Sequence, residues 1–294
     1  MKEQQPVFRQ TDVVCYADWH SVGKIFTMTN RKLTIIRVVL FCLLCASILA
    51  TISGLIKDFH TEWNQHLLLI FTIAITYGLT ILFVKWERLQ LKDVGVIANK
   101  MTFKKVVIGF GIGLFMTMLQ PAFVLLFGHY KITLAPSVSF HSILFYLTLY
   151  ILVAIREELA FRGYPLFSLN YRFGIWTAQI TIFIIFSLEH VAGGMTWLQA
   201  FIGAGTGALL FGLAALKTNG IALPIGLHAA WNFGQWCLGF KKETGILQGI
   251  TDKGFENIAE RNGWISYLFI MMIALAFFYL YKPKNQRSIS IYKG

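Results

Sequence analysis

Glu157 and Glu158 stand side by side at the end of a long apolar run, FHSILFYLTLYILVAIREELAFRGYPL, with Arg162 four residues beyond Glu158. Two further polar groups lie downstream in equally apolar surroundings: Phe186-Ser-Leu-Glu189-His190 and His228-Ala-Ala-Trp-Asn232. Ionisable side chains in such surroundings cost free energy, so each one is a functional hypothesis. Taken together, these residue types point to hydrolysis. A carboxylate and an imidazole can share a water and remove its proton as it attacks a carbonyl carbon. A second imidazole with an Asn amide can donate hydrogen bonds to the developing oxyanion, where one lost donor costs ~10²–10³ in rate. No Ser or Cys nucleophile is required.

Helix spacing divides the first group. Glu158 and Arg162 are at i and i+4, share a face with the Glu on the N-terminal side, and so can pair. Glu157 is turned about 100° away from Glu158, which leaves its carboxylate available for chemistry. His228 and Asn232 share a face by the same i,i+4 rule. Each group also has a plainer reading. A Glu–Arg pair can serve helix packing, a His near a helix end often sits at the membrane interface, and an Asn within a span can tie two helices together. Glu189 is expected to point away from His190, toward headgroups on the far side.

The elements that must position these residues follow from composition. Of 294 residues 56% are hydrophobic and only 14% charged, and mean hydropathy is +0.62. Soluble domains have about a quarter of their residues charged, so this is an integral membrane protein. A span needs about 20 mostly apolar residues to cross roughly 30 Å of hydrocarbon. Eight candidates satisfy this: 33–56, 66–84, 106–127, 140–161, 175–190, 197–216, 220–238 and 264–281. Runs this long without alternation mean helices, since lipid admits only helices or closed barrels. The predicted fold is all-α and polytopic, with about eight transmembrane helices in one domain. A tail at 1–32 precedes the transmembrane helical domain at 33–281, and a basic tail follows at 282–294.

The net charge of +12 is spread over loops and tails beside apolar runs. That pattern favours contact with anionic lipid headgroups and excludes nucleic acid as the expected partner. With the N-terminal tail placed in the cytoplasm, eighteen Lys and Arg fall on the cytoplasmic side. Six fall on the other: Lys57, Lys131, Lys241, Lys242, Lys253 and Arg261. Both termini are therefore expected to be cytoplasmic. The first tail and the 85–105 loop are candidates for interfacial helices anchored by Trp19 and Trp86. The first apolar run is too long for the core of a cleaved signal, and none is expected. Cys15, Cys42, Cys45 and Cys237 lack metal or disulfide spacing; Cys42 and Cys45 read as small core residues. Four glycines of the sixth span (Gly203, Gly205, Gly207 and Gly212) suit close helix packing. If the fourth helix runs on to Leu169, Glu157, His190 and His228 lie about 18, 24 and 12 Å from the cytoplasmic ends of their helices. Tilt of ~20° allows them to meet in one layer.

Glu-Glu-x-x-x-Arg, then Phe-x-x-x-His, then His-x-x-x-Asn on successive membrane helices resembles the CPBP intramembrane proteases. This is the CAAX protease and bacteriocin-processing, or Abi, family, which includes the Ras-converting CAAX endopeptidases. The resemblance covers about residues 140–238, including "RGYPL" after the first motif and "LPIGLHAAWNF" around the third. It implies that Glu157 is the catalytic glutamate and that His190 helps it to activate water. It further implies that His228 and Asn232 hold the oxyanion and that Glu158 and Arg162 are a supporting pair. All elements of the three motifs are present, so the resemblance implies an active enzyme. The family is also described as metal-dependent, and Glu157, His190 and His228 would make a His₂Glu zinc set with an open fourth position. A metal-free glutamate mechanism without cofactor is the preferred expectation, because Asn232 suits an oxyanion hole better than a metal sphere. The expected substrate is a membrane-associated peptide or protein, CAAX-like or other, and the expected location is a bacterial inner or plasma membrane. The alternatives are a non-catalytic scaffold or bacteriocin-immunity-type protein that binds through the same cluster, and a transporter using Glu157, His190 and His228 as a proton relay. No repeat relates the two halves, which speaks against the transporter.

Overall fold

The computed structural model describes residues 31–56, 62–126, 129–136, 138–241 and 244–282. The first tail with Trp19, and the basic segment beyond residue 282, lie outside the described residues. Helices stand at all eight predicted spans: α1 (Arg31–Ile56), α2 (Asn64–Trp86), α3 (Thr102–Leu126), α4 (Phe140–Glu157), α6 (Ile175–Ala192), α7 (Gly205–Thr218), α8 (Ala222–Cys237) and α9 (Glu256–Leu280). Between α4 and α6 lies one more helix, α5 (Tyr164–Phe173). Among the described residues, six segments are long and apolar enough to cross a bilayer by length and composition: α1, α2, α3, α6, Gln199–Thr218 and α9. The other two predicted spans, α4 and α8, are those that carry the Glu-Glu and His-x-x-x-Asn motifs. Large apolar side chains such as Leu43, Phe71, Leu82, Phe115 and Met272 face outward, and an outer surface of this kind needs hydrocarbon against it. The chain has an all-α polytopic membrane fold.

Contacts between loops agree with helices that alternate in direction. The Ile221 N–H donates to the Gly95 carbonyl at 3.2 Å, and the Lys105 ammonium donates to the Thr218 carbonyl at 2.8 Å. These join the 85–105 and 217–221 segments. Near the opposite helix termini, β1 (Tyr130–Leu134) pairs antiparallel with β2 (Leu247–Thr251), Tyr130 opposite Thr251. This short ribbon is an addition to the predicted all-helical pattern. It forms where backbone leaves the helices and must find partners outside them.

Two other expectations are corrected. The 85–105 loop is not an interfacial helix. From Glu87 to Met101 it is a series of turns, because Asp93 accepts from the Gln90 N–H at 2.8 Å, Asn99 accepts from Met101 at 2.8 Å, and Gly95 takes φ +66°. Local side-chain bonds of this kind compete with helix. Nor does the fourth helix run on to Leu169. It gives way to a π-helical turn over Glu158–Arg162 and breaks at Gly163, whose ψ is −118°. A Cβ at Gly163 would press on the Leu159 carbonyl, and Pro165 in the first turn of α5 starts a new helix.

The tightest helix contact joins α3 to α8. Gly109 and Gly113 of α3 lie against the α8 backbone at Leu223 and Leu227, and Gly226 of α8 lies against the α3 backbone at Val106. Small residues four apart allow this approach, which brings dispersion contacts and close polar contacts that lipid cannot supply. In the sixth span, Gly205 and Gly212 are the glycines that neighbours require, against Phe183 and Gln179; Gly203 and Gly207 meet only ordinary contacts. Two apolar clusters result. One joins α1, the end of α2, α5 and α6 around Phe41, Tyr164, Phe167 and Ile182. The other joins α3, α7, α8 and α9 around Phe211, Leu227, Tyr267 and Met271. Cys42 and Cys45 are buried in the first, as expected. A direct check uses two glycines of α3. Gly113→Ala should destabilise the purified protein by about 1–3 kcal/mol through overpacking, read as a fall in melting temperature in detergent. Gly111→Ala, with nothing within 4 Å of the added carbon, should leave it unchanged.

Candidate active site

The polar residues sit along the seam between the two clusters. Arg162 is completely buried. Its guanidinium carbon lies 4.4 Å from the ring centre of Phe186 on α6, 5.7 Å from Phe211 on α7 and 5.8 Å from Phe161. The rings offer their electron-rich faces to the cation, and Glu158 Oε1 offers a charge at 3.4 Å. The pairing of Glu158 with Arg162 is thus as the spacing predicts, although the backbone between them is a π turn. Such turns cluster at functional sites because they re-aim side chains.

The same carboxylate oxygen takes a second partner. His228 Nδ1 is 2.9 Å from Glu158 Oε1, and the imidazole stacks on Phe211 with ring centres 4.5 Å apart. A carboxylate can only accept, so Nδ1 carries the proton and Nε2 is turned to the other side. There Nε2 stands 3.8 Å from Glu157 Oε2. His228 is therefore slung between the two glutamates. Exposure separates the carboxylates: the Glu157 side chain is 12% exposed and that of Glu158 is 0%. Of the two, only Glu157 keeps any accessible surface.

His190 enters from α6. Its Nδ1 donates to the Phe186 carbonyl at 2.9 Å, and its ring lies 4.3 Å from that of Phe186. The carbonyl holds one nitrogen protonated, so the neutral ring keeps a lone pair at Nε2. The Phe of Phe-x-x-x-His contributes through its ring, packed between the His190 imidazole and the Arg162 guanidinium. His190, His228, Arg156 and Arg162 all lie within electrostatic range of Glu157. On α8, Asn232 lies one turn beyond His228, and its Oδ1 accepts from the Lys241 ammonium at 3.2 Å. The structure brings Glu157, Glu158, Arg162 and His228 into one contacting group, has His190 within electrostatic range of Glu157, and places Asn232 one helical turn along.

Three features escape the sequence reading. Arg156 is buried, 3.6 Å from Glu157 Oε1 through NH1, and its NH2 is bound to Glu189 Oε1. Glu189 is therefore not directed to distant headgroups; it turns inward because a buried guanidinium needs a charge partner. The residues just before Glu157 and just before His190 thus clamp α4 to α6. The matching offsets on the two helices were the available signal. The second feature is Glu87, buried at the end of α2, which accepts from Thr34, Tyr164 and Ser168 at 3.1, 2.7 and 2.6 Å. It fastens α5, and with it the chain leaving the π turn, to α1. The third is a cleft of about 600 Å³ between the starts of α2 and α4. Its wall includes Tyr146, Tyr150 and Val153, spaced i, i+4, i+7. Glu157 continues that stripe one turn further.

Residues 139–234 match the type II CAAX prenyl endopeptidase Rce1-like family. This is the family that the three motifs resemble. The match spans about one third of the chain, from the N-cap of α4 into α8, and encloses all six residues singled out from the motifs. It supports an intramembrane protease in general terms. No curated protein matches the chain.

A zinc set of Glu157, His190 and His228 would need donor atoms converging at roughly 2.0–2.2 Å from one point. Among the described residues, no three or more His, Cys, Asp or Glu side chains are grouped to hold a metal ion. The donor set as placed does not fit zinc.

The Arg156–Glu189 clamp makes a prediction about stability. Glu189→Leu alone takes the nearer carboxylate from a buried guanidinium, leaving it only Glu157 at 3.6 Å, and should cost about 3–5 kcal/mol. Adding Arg156→Leu should recover most of that loss. Unfolding measured in detergent checks it, with the double variant expected to be more stable than the single one.

Proposed function

We propose that this chain is an intramembrane endopeptidase in which Glu157 takes a proton from a water as it attacks the carbonyl of a membrane-associated peptide. The observation that carries the proposal is the contrast between the two carboxylates. Glu158 is sealed and committed to Arg162 and His228, whereas Glu157 keeps 12% of its side chain accessible and lies 3.8 Å from His228 Nε2. The match of 139–234 to a family of endopeptidases supports the reaction class.

Each residue then has a role. Glu157 is the general base, assisted by His190 within its electrostatic range, and the proton it takes passes to the leaving amine as the C–N bond breaks. Glu158 orients His228 and stabilises its imidazolium, as a buried carboxylate does for the imidazole of a hydrolytic triad. In that charged form His228 donates from Nε2 to the developing oxyanion. Asn232 adds a second donor from its amide, because its Oδ1 is already held by Lys241. Arg162 balances the charge of Glu158. No metal takes part in this scheme, and no cofactor is needed. The substrate is a peptide or protein anchored at the membrane, CAAX-like or other. The excess of Lys and Arg in the 85–105 and 217–221 segments supports a cytoplasmic orientation for that end of the bundle and for both termini.

The test is cleavage of a quenched peptide carrying a prenylated Cys followed by three residues, by protein in lipid vesicles. Glu157→Gln should reduce the single-turnover rate by about 10³-fold or more while the melting temperature is kept. Glu158→Gln should lower both rate and stability, since it removes the charge that faces Arg162 and His228. Full activity in the Glu157→Gln protein would refute the proposal. A scaffold that uses the cluster only for binding would keep its biological phenotype with the same variant.

A further inference from the structure

Lys241 lies in the turn after α8, beyond the segment that matches the endopeptidase family. Its ammonium reaches back to two helices at once. Nζ is 3.2 Å from Asn232 Oδ1 on α8 and 5.6 Å from the ring centre of Tyr150 on α4. Tyr150 borders the cleft and lies two turns before Glu157 on the same helix. A lysine has three N–H donors and no acceptor, whereas a primary amide has one oxygen acceptor and one NH₂ donor group. The two ends of the Asn232 amide have the same size and shape, so packing alone does not choose between them. An ammonium does choose, because it attracts the oxygen and repels the NH₂.

The geometry points to Lys241 as a positioning residue for the oxyanion hole: by holding Asn232 Oδ1 it turns the amide NH₂ toward the substrate carbonyl. The aromatic face of Tyr150 steadies the ammonium and couples that orientation to the helix bearing the general base. This inference rests on the proposed hydrolytic function and extends it to a residue outside all three motifs.

The experiment is a double-mutant cycle on the quenched prenylated peptide in vesicles, with Lys241→Met, Lys241→Arg, Asn232→Ala and the Asn232→Ala/Lys241→Met pair. Lys241→Met should lower kcat about tenfold or more with KM little changed, less than the ~10²–10³ expected for loss of the donor itself. Lys241→Arg, which keeps charge and donors, should recover most of the rate. In the Asn232→Ala background Lys241→Met should have no further effect, because its action passes through the amide. Equal losses in both backgrounds, or an unchanged kcat in Lys241→Met, overturn the inference. A peptide that the wild-type protein leaves uncut counts against the substrate class of the proposed function. The contact is then read separately by the rate at which acetic anhydride modifies Lys241. Asn232→Ala should raise that rate severalfold, and an unchanged rate overturns the orienting role.

Discussion

A carboxylate enclosed on every side by apolar helices must find its counter-charges where it stands, and Glu158 finds two. Arg162 meets it from the far end of the π turn and His228 from α8. Neither the cation nor the imidazole can be removed without leaving charge stranded in a low-dielectric interior. The requirement fixes much else. Arg162 needs aromatic faces, so Phe161, Phe186 and Phe211 converge on it from three elements. His228 needs a rigid helix, so α8 is pressed against α3 backbone to backbone at glycines. With Nδ1 engaged, the imidazole has one nitrogen left, and it faces Glu157.

Two adjacent glutamates thereby acquire different lives. One is structural and sealed; the other faces His228 at the end of a stripe of α4 that borders the cleft. The division begins with the 100° step between neighbours on a helix and is completed by the π turn that starts at Glu158. Ahead of both Glu157 and His190, the Arg156–Glu189 pair locks the two helices in register. Glu87 does the same for the exit of the π turn by binding three hydroxyl groups from α1 and α5. The polar groups of this bundle form a connected frame, in which the hydrolytic residues occupy the part left accessible.

Much of this frame was readable from residue order. Apolar runs of about 20 residues located the helices because lipid permits little else, and the i,i+4 rule paired Glu158 with Arg162. What stayed hidden depended on contacts between distant segments. Glu189 looked like a headgroup ligand because Arg156, its partner, lies 33 residues earlier on another helix. Glu87 has no local sign of its three partners on α1 and α5. The break after Arg162 has its local causes in Gly163 and Pro165, and the turns of the 85–105 loop have theirs in Asp93, Gly95 and Asn99. Lys241 carried no local signal, since only the fold returns a loop residue to the side of Asn232.

The claim at the centre is that Glu157 deprotonates a water and does not itself attack the carbonyl. A single turnover in water enriched in heavy oxygen, followed by mass spectrometry of product and protein, tests it directly. The label should appear in the new carboxylate of the product and be absent from the peptide containing Glu157. Label in Glu157 would mean that its carboxylate formed the covalent intermediate, and would contradict the account.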